Sequence, residues 1–599
     1  MKKPKPFMGI DGEGYTVEGE HRYVLLMNSN HEYIYNHEGL STIECFEYLL
    51  KQPRTHIYVA FGLNYDVNMI LRDLGKTALK HLWQNGVLRW GPYTIEWIPG
   101  KWFSLRSDEY PKIIKVNETF GFFQMSFVKA LDKWGIQVQD SDELEEMKRA
   151  RSIFDAGMRD RIIDYCHMEC GLLVDLLKSL REALHDVDIH LSSWNGAGSI
   201  AAAVLRREGI KDHHVPHTEL TQEIQHGCLS SYFGGRTELF KQGLHPTVSQ
   251  YDICSAYPFA ALSLPSLQGG KWKHHKTYQP QAEHAIWQVE WSLPDNTTIA
   301  PFPYRRKGTI CYPLNGSGWY HAAEVKEALI HYRSIKVTQG YVFTQHSQES
   351  PFQFIQSLYA YRRALKAEGH AGEKCIKLGI NSLYGKLAQG VGYRDSLPPF
   401  QSYFWAGEIT SRTRARLLEL LHSAPDKVIM VATDGIFYSG VVTHPVGTDL
   451  GDLEANTLLE MFTAQPGVYS AITDSGDSIK RSRGFFAKEI DFQALLTGYN
   501  TDGCNHIGHY NSTRFVGAGT ALMSKDLNGW RTWRESTRKL SLYPSTKIVK
   551  DSATRPTLHV PPRLADPTIL SEPYVPKMKG YVDDQVDYTQ GKEQPLRTD

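Results

Sequence analysis

Apolar and polar residues alternate through the first 190 residues in a way that predicts strands followed by helices. Short apolar runs at residues 7–10, 23–27 and 56–61 have the length and composition of buried strands. Stretches 42–50, 67–74 and 155–184 instead repeat apolar positions with a helical period. This alternation predicts an α/β unit. A polar segment at 185–193 then breaks the pattern, and a short helix is expected at 199–207.

From about residue 231 the pattern mixes strands and helices in a less regular order. Strand-like runs lie at 248–253, 286–291 and 336–343, and two more at 428–432 and 435–438 predict a hairpin. Helical patterns cover 324–332, 351–369 and 410–422. The second half is therefore expected to be α+β, and the whole chain an α/β and α+β multidomain protein. From about residue 581 the sequence is polar and poor in apolar residues, which predicts disorder.

Composition narrows the class of protein. The 599 residues, 41% hydrophobic and 22% charged, are typical of an ordinary globular protein of two to four domains. With 66 basic and 66 acidic residues the net charge is zero, which disfavours a simple DNA-coating protein. Eight cysteines without CxxC pairs predict a reducing, cytoplasmic compartment. We see neither a signal peptide nor an apolar run of membrane-spanning length, so no membrane role is expected.

Two carboxylates end strand-like runs in the second half: Asp252 in YDICSAYP and Asp434 in VATDGIFY. An aspartate at a strand end can present its carboxylate, and the next backbone carbonyl, that of Ile253, to a metal ion. Asp434 lies at the tip of the predicted hairpin and can therefore face Asp252 across a sheet. Each residue alone is more simply a turn residue. Together they fit a site that holds two divalent ions for nucleotidyl transfer.

The helical stretches between these two aspartates carry a basic face. Arg362 and Lys366 are four residues apart, and Lys377 and Asn381 repeat that spacing, so each pair shares one side of a helix. Cations on one side suit a triphosphate, and Tyr384 offers a flat ring for base stacking. A solvated basic helix is the alternative interpretation.

The N-terminal unit carries a second acidic set. Asp11 and Glu13 are two apart, so they point to the same side of an extended strand. Asp66 follows the run at 56–61, and Tyr165 and Glu169 are four apart on the predicted helix. Four carboxylates and a tyrosine are the components of a two-metal hydrolytic site acting on phosphodiesters. Taken singly, most carboxylates are solvated surface groups.

Four segments resemble the family B DNA polymerases, and they follow one another along the chain in the order found in that family. DICSAYP at 252–258 is similar to DxxSLYP, 377–385 matches KxxxNSxYG in full, and ATDG at 432–435 resembles DTDS. YFGG at 232–235 matches the YxGG segment of the protein-primed branch, known from bacteriophages and linear plasmids. The resemblance covers roughly residues 7–440.

That resemblance implies a role for each matching residue. Two Mg²⁺ or Mn²⁺ ions per active site would be bound by Asp252, Ile253 and Asp434. Tyr257 would exclude ribonucleotides. The expected triphosphate ligands are Arg362, Lys366 and Lys377, the base-pair pocket residues are Asn381 and Tyr384, and the template contacts are Tyr232, Gly234, Gly235 and Arg236.

The first unit resembles 3′–5′ proofreading exonucleases on an RNase H-like fold. Their pattern is DxE, then N…(F/Y)D, then Yx3D, and Asp11, Glu13 and Asp66 match it. The resemblance implies a second pair of metal ions bound by these three residues and Glu169, which replaces the usual aspartate. Tyr165 would assist catalysis. Asn64 and Ser126 stand where the family contacts single-stranded DNA.

The resemblance also implies a domain order. We expect an exonuclease domain at 1–190, a linker and palm with an inserted subdomain at 191–350, and fingers at 351–394. The remaining palm is expected at 395–500, a thumb at 501–580 and a disordered tail at 581–599. The inserted part is interpreted equally well as extra palm structure.

The sequence thus predicts a monomeric DNA polymerase that uses template, primer and dNTPs and has a proofreading exonuclease. A terminal priming protein, RNA or a DNA end remain open as primers. Ala432 and Gly435, which depart from DTDS, favour one alternative, a repair or recombination nuclease with a degenerate polymerase half. The other alternative is a non-catalytic DNA-binding replication scaffold. The intact KxxxNSxYG segment argues against it, because a scaffold needs no triphosphate site.

Overall fold

The computed structural model describes residues 4–110, 113–138, 146–147, 154–306, 308–390, 397–483, 487–543 and 570–575. The predicted tail at 581–599 and residues 544–569 of the predicted thumb lie outside these ranges. Strands and helices both occur throughout, so the predicted mixture of α and β structure is confirmed. None of the helices within the described ranges is long and apolar enough to cross a membrane.

The N-terminal part is built on an eight-stranded mixed sheet with the order β3-β2-β1-β4-β8-β7-β6-β5. Strands β1, β4 and β8 pair in parallel, and the other neighbours pair antiparallel. Its strands are β1 Phe7–Val17, β2 Glu20–Asn28, β3 Tyr33–Tyr35, β4 Ile57–Ala60, β5 Val87–Trp90, β6 Tyr93–Ile98, β7 Trp102–Ser107 and β8 Ile113–Glu118. The helices around it are α1 Thr42–Lys51, α2 Asn64–Ile70, α3 Lys76–Asn85, α4 Phe120–Phe123, α5 Phe127–Lys133 and α6 Arg159–Asp186.

Two of the differences from the predicted boundaries concern the acidic residues. Strand β1 continues seven residues past Ile10, because β2 pairs with it from Ile10 to Val17 and supplies the hydrogen bonds. Helix α2 begins at Asn64, so Asp66 lies in its first turn and not before it. Both acidic positions are therefore held by regular backbone.

A central antiparallel sheet of seven strands carries the second half, with the order β21-β20-β19-β10-β18-β17-β9. Asp252 on β10 pairs with Gly435 on β18, and Asp434 forms the tip of the β17–β18 hairpin, as predicted. The strands are β9 Arg236–Leu239, β10 Gly243–Ile253, β17 Val428–Thr433, β18 Gly435–Ser439, β19 Leu453–Gln465, β20 Val468–Thr473 and β21 Ser478–Arg481.

Between β10 and β17 the chain forms a separate four-stranded antiparallel sheet and most of the remaining helices. The order of that sheet is β11-β16-β12-β15. It contains β11 Lys271–His275, β12 Ala285–Ser292, β15 Asn315–His321 and β16 Ile335–Thr344, with a small ribbon of β13 Tyr304–Arg306 and β14 Thr309–Cys311 beside it. Helices α7 Ala197–Arg207 and α8 Gln222–Ser231 precede β9. Between β10 and β17 lie α9 Ala256–Ala261, α10 Ala322–His331, α11 Phe354–Ala367, α12 Gly372–Leu387 and α13 Tyr403–Ser423.

The C-terminal part contains helix α14 and a long hairpin. Helix α14 spans Phe492–Asp502, and the hairpin consists of β22 Ile507–Phe515 and β23 Trp533–Ser541 with helix α15, Ala518–Ser524, between its strands. Single turns of 3₁₀-helix occur at Ala156–Met158, Ile210–His213, His217–Glu219, Pro425–Lys427, Ala487–Glu489 and Gly503–Asn505.

A short C-terminal segment, residues 570–575, returns to the four-stranded sheet. Leu570 forms a parallel bridge with Ser317 on the edge strand β15. The Ser571 amide donates to the carbonyl of Ser317 at 2.8 Å, and the Tyr574 amide donates to the carbonyl of Leu229 at 2.9 Å. This segment thus covers part of the sheet edge by adding backbone hydrogen bonds to it.

Candidate active sites

An acidic cluster lies where strand β1 passes helix α6. Asp11 and Glu13 share one side of β1, and Glu169 comes from the buried face of α6. One carboxylate oxygen from each of these three residues lies within 4.8 Å of the others. The predicted convergence of these three carboxylates is therefore present.

Burial strongly perturbs the carboxyl groups of this cluster. Burial raises the pKa of Asp66 to about 8, although a 2.8 Å hydrogen bond from the Tyr23 hydroxyl favours its ionised form. The pKa of Asp11 is raised well above its usual range by burial and by the charges of Asp66 and Glu169. No lysine or arginine forms an ion pair with Asp11 or Asp66 in the described part of the chain. Carboxylates that converge in this way form a set of oxygen ligands suited to divalent metal ions.

A cavity of about 690 Å³ opens over this cluster. It is lined by strand β1, helices α2 and α6, and three residues of the C-terminal hairpin, Thr513, Phe515 and Trp533. The hairpin contribution was not predicted, because more than 300 residues separate it from Glu169 and no local pattern indicates the contact.

Three predicted residues of this site take peripheral places. Tyr165 is 2% exposed, one turn before Glu169, with its ring edge-on to Phe154. The side-chain carbonyl of Asn64 accepts a 3.1 Å hydrogen bond from the Gly100 amide. Ser126 is exposed directly before α5, whose first residue, Phe127, lines the cavity. Their proposed roles stay predictions.

The second site is formed by Asp252 and Asp434 at one end of the central sheet. Burial, together with the charge of Asp252, raises the pKa of Asp434 to about 6. Burial also raises the pKa of Asp252, with a smaller contribution from Glu454, although Gln250 donates a 2.5 Å hydrogen bond to Asp252. Among the described residues no cation forms an ion pair with either aspartate, so this pair too is suited to metal ions.

Gly435 explains one departure from the family pattern. A Cβ atom at this position would lie 2.3 Å from Oδ1 of Asp252, closer than atoms can pack. The missing side chain therefore leaves room for the Asp252 carboxylate beside Asp434.

Three predicted tyrosines converge beside these aspartates. The hydroxyls of Tyr232 and Tyr384 are 2.6 Å apart, and the rings of Tyr384 and Tyr257 are 4.9 Å apart. Burial raises the pKa of Tyr257 to about 12, and the charge of the nearby Asp434 adds a smaller contribution. A Cβ atom on Gly235 would lie 2.7 Å from the Tyr257 hydroxyl, so a glycine is needed there. The segments YFGG, SAYP and NSLYG thus meet at one place.

Two buried arginines hold the YFGG backbone, and sequence reasoning missed both. Arg414 is 2% exposed, pairs through two nitrogens with Glu324 at 2.7 Å, and donates to the carbonyls of Phe233 and Gly234. Arg305 donates to the carbonyl of Tyr232 at 2.6 Å. Arg414 lies in the charged stretch TSRTRARLLELLH, whose pattern does not distinguish a buried arginine from a solvated one.

Arg236 departs from its predicted role as a template contact. Its side chain is 1% exposed, pairs with Glu238 at 2.5 Å, and donates to the carbonyl of Ala300. The guanidinium also lies over the ring of Tyr312. A charge this buried needs those partners, so in this structure Arg236 supports the sheet and does not face a phosphate.

The predicted triphosphate ligands lie on helices α11 and α12. Lys366, Lys377 and Asn381 are exposed, whereas Arg362 forms a 3.2 Å ion pair with Glu373. A triphosphate bound by Arg362 would therefore compete with Glu373.

The C-terminal segment reaches the tyrosine cluster. The ring of Tyr574 is 4.9 Å from that of Tyr232, edge-on, and 5.8 Å from that of Tyr403. The Arg305 guanidinium donates to the carbonyl of Glu572 in the same segment. Nothing in the sequence of this segment indicates the contact.

Known DNA polymerases resemble this chain in sequence. Residues 132–392 match the family model described as DNA polymerase type B, organellar and viral. A primer-independent DNA polymerase of Escherichia coli is 29% identical over 248 residues, which cover 37% of this chain and 28% of that protein. A DNA polymerase of Acidianus bottle-shaped virus is 24% identical over 293 residues, 46% of this chain and 43% of that protein. The chain thus spans less than half the length of these two curated relatives.

The fold is shared with a solved polymerase. Phi29 DNA polymerase, in a complex with primer-template DNA and incoming nucleotide, superposes with a TM-score of 0.64 at 15% identity, over 90% of this chain and 100% of that one. The family match, the relatives and the shared fold confirm the predicted resemblance to the family B DNA polymerases.

Proposed function

We propose that the protein is a DNA-directed DNA polymerase that extends a primer by nucleotidyl transfer. The observation that carries this proposal is the proximity of Asp252, which pairs with Gly435, and Asp434 at the end of the central sheet, directly beside the Tyr232–Tyr384–Tyr257 cluster. Two half-buried carboxylates with raised pKa values fit metal ions. The adjacent rings fit a sugar and a base.

Asp252, Asp434 and the carbonyl of Ile253 would hold two Mg²⁺ or Mn²⁺ ions. Such ions supply activation of the primer hydroxyl and charge stabilisation on the departing pyrophosphate. The Gln250 amide fixes the orientation of the Asp252 carboxylate by its hydrogen bond. Tyr257, held against Gly235 and Tyr384, would exclude the 2′-hydroxyl of ribonucleotides.

The nucleotide and the DNA would be bound by the surrounding elements. Lys366 and Lys377 on helices α11 and α12 would bind the triphosphate together with Arg362. Asn381 and Tyr384 would line the base-pair pocket. Tyr232, Gly234 and Gly235 would contact the template, with the backbone of this segment held by Arg414.

We also propose that the N-terminal site is a 3′–5′ exonuclease. Asp11, Glu13, Asp66 and Glu169 would hold two divalent ions, which supply an activated water for phosphodiester hydrolysis. The cavity above them, with aromatic rings on its walls, fits the unpaired end of a DNA strand.

Primer extension tests the polymerase. With primed template, dNTPs and Mg²⁺ or Mn²⁺, Asp252→Asn and Asp434→Asn are expected to abolish extension while DNA binding remains. Asp426→Asn is the matched control, because this exposed aspartate lies directly before the same hairpin. Extension by either active-site variant at the control rate would refute the assignment. Lack of extension by the parent protein, with degradation intact, would favour a nuclease with a degenerate polymerase half.

Degradation of a labelled single strand tests the exonuclease. The double variant Asp11→Ala, Asp66→Ala is expected to lose 3′–5′ degradation and keep primer extension. A covalent adduct between labelled dATP and a candidate terminal protein would identify protein priming. If no adduct forms under conditions that extend a DNA primer, the candidate terminal protein is not the primer.

A further inference from the structure

The loop between β18 and β19, residues 440–452, runs beside the strand that carries the first polymerase aspartate. The Tyr251 hydroxyl on β10 donates a 2.6 Å hydrogen bond to the carbonyl of Val442 in this loop. Directly after β10, the Cys254 amide donates to the carbonyl of Asp452 at 2.8 Å. The β18–β19 loop is therefore hydrogen-bonded to the chain on both sides of that aspartate.

The end of the β18–β19 loop has a defined shape. Gly451 has a φ of +90°, and a Cβ atom there would lie 2.6 Å from the ring of Phe259, so the position requires glycine. The Asp452 carboxylate accepts a 2.9 Å hydrogen bond from the Asp449 amide. Asp449 is thus held in a fixed place relative to β10.

The same loop contacts helix α11. The Arg363 guanidinium forms an ion pair with Asp449 and donates to the Thr448 hydroxyl at 3.1 Å. One turn earlier on the helix, the Tyr359 hydroxyl donates to the carbonyl of Thr448 at 3.2 Å. Because Tyr359 and Arg363 are four residues apart, both come from one side of α11. These four residues together form the α11 clasp.

Helix α11 also carries Arg362 and Lys366, two of the proposed triphosphate ligands. Arg362 pairs with Glu373 on α12, so the two neighbouring arginines contact different parts of the protein. The side chains of Arg363 and Asp449 are 49% and 78% exposed, and ion pairs this exposed add little to the stability of a fold. The α11 clasp is therefore better suited to position a helix than to stabilise the protein.

We propose that Arg363 is a positioning residue for the incoming nucleotide. Through Thr448 and Asp449 it holds helix α11, and with it Arg362 and Lys366, at a set distance from the two aspartates at the end of the central sheet. A triphosphate must meet the metal ions and the cations at once, so this distance decides how tightly it binds. The inference rests on the proposed polymerase for its nucleotide, but the hold on α11 is tested without one.

Primer extension at varied dNTP concentration supplies the first measurement. Arg363→Ala and Asp449→Ala are each expected to raise KM for dNTPs about 3- to 10-fold and to change kcat less than about twofold, because the clasp acts on binding. Arg416→Ala is the matched control, since this exposed arginine pairs with Glu419 within helix α13 and should behave as in the parent.

A charge swap separates positioning from direct binding of the triphosphate. The double variant Arg363→Asp, Asp449→Arg restores the ion pair in the opposite sense and should bring KM back to within about twofold of the parent. If Arg363 itself bound the triphosphate, the swap would place a carboxylate beside the phosphates and raise KM beyond that of Arg363→Ala. A KM for the swap at or above that of Arg363→Ala would overturn the inference, as would a parent-like KM in Arg363→Ala.

Amide hydrogen exchange on peptides spanning 354–367, without DNA or nucleotide, measures the hold on α11. Arg363→Ala is expected to speed exchange in this helix about 2- to 5-fold and to leave peptides spanning 322–331 of α10 unchanged. Equal exchange of α11 in the variant and the parent would refute the clasp whether or not the protein extends primers. If the parent extends no primer but exchange changes as expected, the proposed polymerase fails and the hold of Arg363 on α11 stands.

Discussion

Removing the charge of Asp434 should stabilise the metal-free protein while abolishing primer extension. In the folded chain the pKa of Asp434 is raised to about 6 by burial and by Asp252. An aspartate in an unfolded chain has a pKa of about 3.9. The folded state therefore takes up the proton more readily, so the ionised group opposes folding above pH 6 and this cost disappears as the pH falls through 4.

The free energy by which the ionised Asp434 opposes folding follows from the difference between its folded and unfolded pKa values. A difference of about two pH units corresponds to about 3 kcal/mol, and solvent reaches part of the site, so we expect about 1–3 kcal/mol. Asp434→Asn keeps the shape of the side chain and removes the charge. At pH 8, without metal, the β17–β18 hairpin of this variant should open about 5- to 150-fold less often than that of the parent.

Amide hydrogen exchange read by mass spectrometry on peptides spanning 428–439 measures this opening locally. The difference in amide protection between variant and parent should be present at pH 8 and vanish near pH 4. It should also shrink when Mg²⁺ stabilises the parent. Asp426→Asn should remain within about 0.5 kcal/mol of the parent. Equal protection of Asp434→Asn and parent at pH 8, or a gain that persists at pH 4, would refute the reasoning from a buried, uncompensated charge.

Three further predictions concern the contacts around the sites. Gln250→Leu removes the hydrogen bond to Asp252 and should lower primer extension about 10- to 100-fold at limiting Mg²⁺, and an unchanged metal dependence would contradict this. Tyr574→Ala should raise KM for dNTPs about 2- to 10-fold through loss of the ring contact with Tyr232, whereas Tyr574→Phe, which keeps the ring, should not. The same KM for Tyr574→Ala and for Tyr574→Phe would contradict a role of this ring contact in nucleotide binding. The pKa of Asp66, about 8, predicts that single-strand degradation at limiting Mg²⁺ rises with pH from 6.5 to 8.5, because the neutral carboxyl binds metal poorly, and a flat profile would count against it.

The carboxylates could be predicted from the sequence because each lies on an element that local patterns indicate. Asp252 and Asp434 lie at the ends of strand-like runs, and the alternation along β1 places Asp11 and Glu13 on one side. The spacing of Lys377 and Asn381 likewise matches the exposed side of α12. In these cases the two-residue repeat of a strand or the 3.6-residue repeat of a helix is enough to show which side chains share a face.

Contacts between distant segments could not be predicted, because no local period encodes them. The burial of Arg236 depends on Glu238 and on the carbonyl of Ala300, which is 64 residues away. Arg414 has the sequence surroundings of a solvated helix, yet the fold places it on the YFGG carbonyls. The docking of Tyr574 and of Trp533 likewise depends on tertiary structure alone.

The anchoring of the C-terminal hairpin through Asn68 has a consequence for how a DNA end would pass between the two sites. Because Asn68 on helix α2 accepts hydrogen bonds from the Ala518 amide and the Trp530 indole of the hairpin, the acidic cavity is complete before any DNA arrives. Transfer of a mispaired terminus to this cavity would therefore be limited by the unpairing of the terminus and not by the closing of a protein domain. We expect the partition between extension and removal to follow the melting of the last base pairs.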